Sequence, residues 1–197
     1  MGQIKVTKCE IEGLYVIEPT VIGDSRGNFM EVYNQRDLKE YGIDAVFVQE
    51  NQSMSTKGVL RGLHFQKQYP QAKLARVLSG RVFDVAVDLR ENSKTYGKWF
   101  GVELSAENNK QFFIPEGFAH GLLVLSDTAV FCYKCTDFYH PGDEGGLLWN
   151  DKSIDIKWPE LLKTEDKVSG EIKYCLEDGT EILLSEKDKN WKAFKEI

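Results

Sequence analysis

Residues 82–89 alternate as a strand should. Phe83, Val85, Val87 and Leu89 fall on one face, and Val82, Asp84, Ala86 and Asp88 on the other. One face is apolar and the other carries two carboxylates. The alternation rule favours a strand with one solvated face; in a barrel the same polar stripe can line a ligand cavity. Further strand-like runs, rich in β-branched and aromatic residues, occupy 14–18, 29–33, 45–51, 73–78, 99–104, 111–114, 121–125 and 129–139. Breakers separate them at Gly23-Asp24, Gly58, Ser79-Gly80, Pro115-Glu116-Gly117 and Pro141-Gly142. Short strands with turns every ten or so residues predict a mainly β sandwich or barrel. A short helix is expected at 35–41, where Asp37, Leu38 and Tyr41 have helical spacing.

After Trp149-Asn150-Asp151 the chain turns polar and rich in Lys and Glu. Residues 171–183 (EIKYCLEDGTEIL) predict a hairpin with Asp178-Gly179 in a type I′ turn. No linker marks off a second domain, so residues 1–197 read as a single domain. A chain of this length can bury roughly 70% of its unfolded surface without disulfides or a structural metal.

Lys and Arg number 25 against 31 Asp and Glu, a net charge of −6. That balance argues against a nucleic-acid partner, which needs a basic stripe; a local cluster of cations could still hold a small anion. No apolar run approaches the ~20 residues of a membrane span. The start, MGQIKVTKCE, is too polar for a signal peptide, and Val6 breaks the myristoylation pattern. The scattered cysteines, Cys9, Cys132, Cys135 and Cys175, fit a reduced, cytoplasmic protein. Cys132 and Cys135 have CxxC spacing, but an offset of three in a strand puts them on opposite faces, which argues against a redox or zinc role.

Three histidines are present: His64 in RGLHF, His120 in IPEGFAHG, and His140. A lone histidine is more often structural than catalytic. Arg61 beside His64 favours the latter as a proton acceptor. Metal-binding barrels of the cupin type place two histidines one residue apart, whereas Phe65 and Gln66 follow His64, so no metal is expected. In 129–139, Phe131, Tyr133, Cys135, Asp137 and Tyr139 share one face if the whole run is a strand. Two tyrosines pointing one way could pack in a core, donate a proton or stack on a ring. Arg26 in GDSRGNF, Arg61 in VLRGLHF and Lys73 in QAKLARV sit beside glycine bends or in strands, and arginine grips phosphate through paired hydrogen bonds.

Taken in order, GDSRGNFME, FVQENQSMS, VLRGLHFQ, VFDVAVDLR, LSAENNKQFFIPEGFAHG, YKCTDFY, GGLLWND and LSEKD closely resemble the dTDP-4-dehydrorhamnose 3,5-epimerase family. The match runs from about residue 14 to 158 and resumes at 184, leaving 163–183 as an insertion. The resemblance implies a metal-independent, cupin-like jelly-roll barrel with a few short helices and a C-terminal hairpin insertion, working as a homodimer. It implies proton abstraction and return beside the C4 ketone of dTDP-4-dehydro-6-deoxy-D-glucose, in dTDP-L-rhamnose biosynthesis, with no cofactor. By position, His64 is implied as general base, Asp188 as the carboxylate that orients it, Tyr133 as general acid and Lys73 as the cation that stabilises the enolate. Arg26, Glu31, Gln49, Glu50, Asn51, Arg61, His120, Glu144 and Lys187 match substrate-binding positions, and Tyr139 the residue that stacks on thymine. A C3-only epimerase, an epimerase of another nucleotide-linked 4-keto sugar, a non-catalytic sugar-binding jelly roll and a metal-dependent cupin stand as alternatives.

Overall fold

The computed structural model describes residues 4–165, 170 and 172–197. Two antiparallel sheets face each other. The first has six strands in the order β1 (Ile4–Lys8), β2 (Tyr15–Pro19), β10 (Gln111–Ile114), β7 (Lys73–Ser79), β12 (Thr128–Cys135) and β5 (Gln49–Thr56). The second has five: β13 (Glu144–Gly146), β6 (Leu60–Gln66), β11 (Phe118–Val124), β8 (Arg81–Asp88) and β9 (Trp99–Ser105). Small hairpins pair β3 (Ile22–Asp24) with β4 (Gly27–Phe29), and β14 (Leu161–Glu165) with β15 (Ile172–Leu176). Two short α-helices lie outside the sheets, α1 (Gln35–Glu40) and α2 (Glu186–Lys189). This is the jelly-roll barrel expected of the sequence.

Alternating side chains from the two sheets meet inside the barrel. Val16, Ala75, Val77, Phe112 and Phe131 of the first pack on Val82, Ala86, Leu104, Leu122 and Val124 of the second. The outer face of the five-stranded sheet is covered too, with Leu63, Val85, Val87 and Leu123 lying under Leu147, Trp149, Trp158 and Leu176. β8 is therefore buried on both faces, and the solvated face expected of Asp84 and Asp88 does not exist. Both carboxylates are fully buried. Asp88 is held by Arg90, Ser93 and Thr95, and Asp84 by His120.

The helix forms where expected, capped by Asn34, whose Oδ1 accepts from the Arg36 amide at 3.0 Å. Leu38 seats it against Ile17, Leu74 and Phe113 on the outer face of the six-stranded sheet. Other expectations shift. The 29–33 run stops pairing at Phe29, and the 45–51 run becomes a strand only at Gln49; its first part, around Ala45, packs over the sheet instead. The 129–139 run ends as a strand at Cys135, so Tyr139 lies in the loop beyond, off the alternation that was to align it with Tyr133. β6, hidden in the sequence by its glycine, is a full strand. Gly62 is needed there because a Cβ would lie 2.6 Å from the Gly121 Cα of neighbouring β11.

Of the 163–183 stretch, expected as an insertion, 166–169 and 171 lie outside the described residues. Its chief pairing is β14 with β15, not the two arms of 171–183, which share the isolated bridge Cys175–Glu181. The Asp178-Gly179 turn is present but is not type I′. Only Gly179 has positive φ, +87°, and its amide bonds the Leu176 carbonyl, as in a three-residue connection with glycine at the bulge.

Candidate active site

A cavity of about 230 Å³ opens between the two sheets. Strand alternation places most of its walls, and an irregularity in the β6–β11 register between Arg61 and His64 lets both of these, three residues apart, face it. β6 sends in Arg61 and His64, β7 Lys73, β11 His120, β12 Phe131 and Tyr133, and β5 Asn51; Glu144 and Tyr139 stand at the rim. His64 and Tyr133 come from opposite sheets and face one space.

His64 is tied to Asp188. Its Nε2 lies 2.5 Å from Asp188 Oδ1, which leaves the other ring nitrogen for a ligand. Asp188 sits in α2, whose first turn is capped by Ser185. The 163–183 stretch does not displace it. Leu183 exchanges backbone hydrogen bonds with Gly58 and Leu60 at the head of β6, two residues before the cap, so the chain re-enters beside the strand that bears His64. Burial works against the Asp188 charge, but donors from His64, Ser185 and Trp191 outweigh it and hold the carboxyl below its usual range.

A second histidine–carboxylate pair lies deeper. His120 Nε2 is 2.7 Å from Asp84 Oδ1, and its ring stacks on Phe131. Burial raises the Asp84 carboxyl, against the pull of His120 and Lys73. Burial likewise lowers the Lys73 ammonium, opposed by Cys135, Asp84 and Glu144. The Tyr133 phenol is pushed up, first by burial and then by the Cys135 thiol, which keeps it protonated.

At the rim, Tyr139 donates its hydroxyl to Glu144 Oε2 at 3.0 Å, and Lys187 pairs with the same oxygen. Burial opposes the Glu144 charge, yet Lys187 and Tyr139 together hold its carboxyl low. Gln49 does not line the cavity but steadies what does: its Oε1 accepts from the Tyr139 amide and its Nε2 donates to Asn51 Oδ1, each at 3.0 Å.

Three of the sequence-derived site residues stand elsewhere in this chain. Glu50 lies between Gln49 and Asn51, so alternation turns it to the outer face, where it pairs with Lys134 at 2.9 Å and takes the Cys132 thiol hydrogen. Arg26 is at the exposed tip of the β3–β4 hairpin, paired with Asp24. Glu31 accepts from Asn34 near α1, away from the cavity. Cys132 and Cys135 point to opposite faces, as their spacing implies, and all four cysteines are free. His140 stacks on Tyr69 outside the cavity. Asp84, Phe131 and Trp191 belong to the site but were not assigned to it from sequence. The first was legible only as a polar position in β8, and Trp191 only by its place after LSEKD.

Among the described residues, no three His, Cys, Asp or Glu side chains converge as a metal site, and no helix is long and apolar enough to cross a membrane.

Comparison with known proteins agrees with this geometry. The family model for dTDP-4-dehydrorhamnose 3,5-epimerase matches residues 8–196. The enzyme of that name from Methanothermobacter thermautotrophicus is 50% identical over 196 residues, covering 100% of this chain and 97% of its own. The one from Shigella flexneri is 57% identical over 168 residues, 83% of this chain and 93% of its own. Among solved structures, a dTDP-6-deoxy-D-glucose-3,5-epimerase from Legionella pneumophila, in complex with dTDP-4-keto-L-rhamnose, superposes with a TM-score of 0.87 at 46% identity, covering 98% of this chain and 94% of that one.

Proposed function

The chain belongs to the dTDP-4-dehydrorhamnose 3,5-epimerase family, and from that premise we propose how its own residues do the work. The protein is an isomerase that inverts C3 and C5 of dTDP-4-dehydro-6-deoxy-D-glucose, giving dTDP-4-dehydro-L-rhamnose for dTDP-L-rhamnose biosynthesis. His64, oriented by Asp188, removes the proton next to the C4 ketone. The C–H electron pair moves into the ring and charge collects on O4, where Lys73 meets it. Such preorganised charge stabilisation is commonly worth about 3–4 kcal/mol per donor. Tyr133 returns a proton to the opposite face, and exchange with solvent resets both groups. No step changes an oxidation state, so the chemistry calls for no redox cofactor.

The observation that carries this reading is the entry of His64 and Tyr133 into one cavity from opposite sheets. Inversion needs an acid and a base on opposite faces of one carbon. Arg61, His120 and Asn51 are placed to hold the sugar and diphosphate, with Tyr139 at the rim for the thymine ring and Glu144 and Lys187 beside it.

Arg26 and Glu31 fit this scheme if a second copy supplies them. The hairpin that bears Arg26 is exposed, as are its apolar Ile22 and Phe29, at 55% and 68%. A homodimer in which this hairpin reaches the partner's cavity would use all three. The four free thiols support a cytoplasmic location. Residues 1–197 act as one domain, since Leu176 of the added hairpin joins the core packed on the five-stranded sheet.

The test is proton NMR of the enzyme with dTDP-4-keto-6-deoxy-D-glucose in D₂O. Deuterium should enter at both C3 and C5, and His64→Asn should abolish both. Exchange at C3 alone would make the protein a single-centre epimerase, and full exchange in the variant would remove His64 as the base.

A further inference from the structure

Trp191 follows α2, three residues after Asp188. Its indole Nε1–H donates to Asp188 Oδ1 at 3.1 Å, the same oxygen that holds His64 Nε2. Its ring meets the His64 ring edge-on, with centroids 5.9 Å apart and planes at 68°. The indole is clamped. It lies so close over the Gly146 backbone that a Cβ there would run into the ring. Behind it, the Leu148 amide bonds the Lys192 carbonyl at 2.9 Å, joining this segment to the end of β13. The Lys187 ammonium lies over the ring at 5.3 Å from its centroid.

We propose that Trp191 is a positioning residue for the His64–Asp188 pair. Resting on the assignment of His64 as base, this role has two parts. The indole N–H fixes the plane of the carboxylate, and so the aim of the imidazole. It also shares the charge of Oδ1, because an oxygen accepting two donors draws less strongly on each. Removing the indole donor would leave Oδ1 to His64 alone, a change that favours the charged imidazole in the variant. The groups facing His64 do not duplicate this: Asp188 comes from α2, Glu144 from β13, Arg61 from the same strand, and Lys73, His120 and Tyr133 from β7, β11 and β12 around the cavity.

The experiment compares native enzyme with Trp191→Phe, which keeps an aromatic ring and loses the N–H. Gly146→Ala displaces the indole by a second route. Both should lower kcat roughly 3- to 10-fold with KM unchanged, the effect of about one net hydrogen bond. Both should move the acid limb of kcat/KM to higher pH by roughly 0.4–1 unit. The ring N–H resonance of His64 in its hydrogen bond to Asp188 should also shift in both, a readout that needs no turnover. An unmoved acid limb and resonance in folded Trp191→Phe and Gly146→Ala enzymes would reduce Trp191 to packing. That failure is separable from failure of the base assignment, which is read from His64→Asn alone.

Discussion

His64 Nε2 and Asp188 Oδ1 lie 2.5 Å apart although 124 residues separate them in the chain. The contact holds a ring on a rigid strand against a carboxylate that is buried at 3% exposure. Asp188→Asn keeps the shape and removes the charge that supports the imidazolium formed on proton abstraction. We expect kcat to fall by roughly 10²–10⁴, the range for disabled acid–base catalysis, with KM little changed. Steady-state rates of epimerisation decide it; a loss confined to KM would make Asp188 a binding residue.

Tyr133→Phe separates removal of a proton from its return. His64 and Lys73 remain, so deuterium wash-in should persist, while net inversion at C5 should fall by roughly 10²-fold or more. Time-resolved NMR in D₂O reads both. Equal loss of exchange and inversion in a folded variant would count against Tyr133 as the acid.

Lys73 offers a contrast between activity and stability. Burial lowers its ammonium, so the folded state pays for holding that charge at neutral pH. Lys73→Met should reduce kcat by about 10²–10³ without lowering Tm, because a buried charge is exchanged for an apolar chain of similar length. A clear drop in Tm would show that Lys73 is needed to offset Asp84.

Asp88 should govern acid stability. Burial opposes its charge, but Arg90, Ser93 and Thr95 outweigh that and hold its carboxyl at about 2, against 3.8 ordinarily. A lowered folded-state pKa stabilises the fold above the ordinary value, and the gain is lost as pH falls through about 2. The shift corresponds to about 2 kcal/mol at neutral pH. Asp88→Asn should therefore lower Tm by roughly 4–8 °C at pH 7, with the gap from native protein narrowing between pH 4 and 2. Thermal melts across that range give the answer, and a constant gap would assign the loss to packing alone.

The proposed homodimer, with the β3–β4 hairpin reaching the partner's cavity, can be tested by complementation. Arg26→Ala and His64→Asn should each be nearly inactive as pure dimers. Co-refolded together, they would form mixed dimers in which one cavity combines native His64 with the partner's native Arg26. Activity should then recover toward a quarter of the native level. Absence of recovery, with mixed dimers verified by mass, would place Arg26 in its own chain's site.

Much of this protein was legible in its sequence. Period-two alternation marked β8, and turn residues set off most of the strands, because these depend on neighbours within a few residues. The ordered motifs were specific enough to identify the family and to single out His64, Tyr133, Lys73 and Asp188. Some of the remainder was readable but missed: Glu50 lies between Gln49 and Asn51, and alternation already required it to face the other way. What only the tertiary structure decided was burial and long-range meeting. Whether Asp84 and Asp88 face water depends on a second layer covering the sheet, which no local pattern records. That Asp188 reaches His64 from beyond the 161–176 hairpin depends on Leu183 pairing beside β6, and that Trp191 shares the same carboxylate oxygen depends on a bare glycine backbone at Gly146. Such contacts form between residues far apart in the chain, and the free energy that selects them comes from the packed whole.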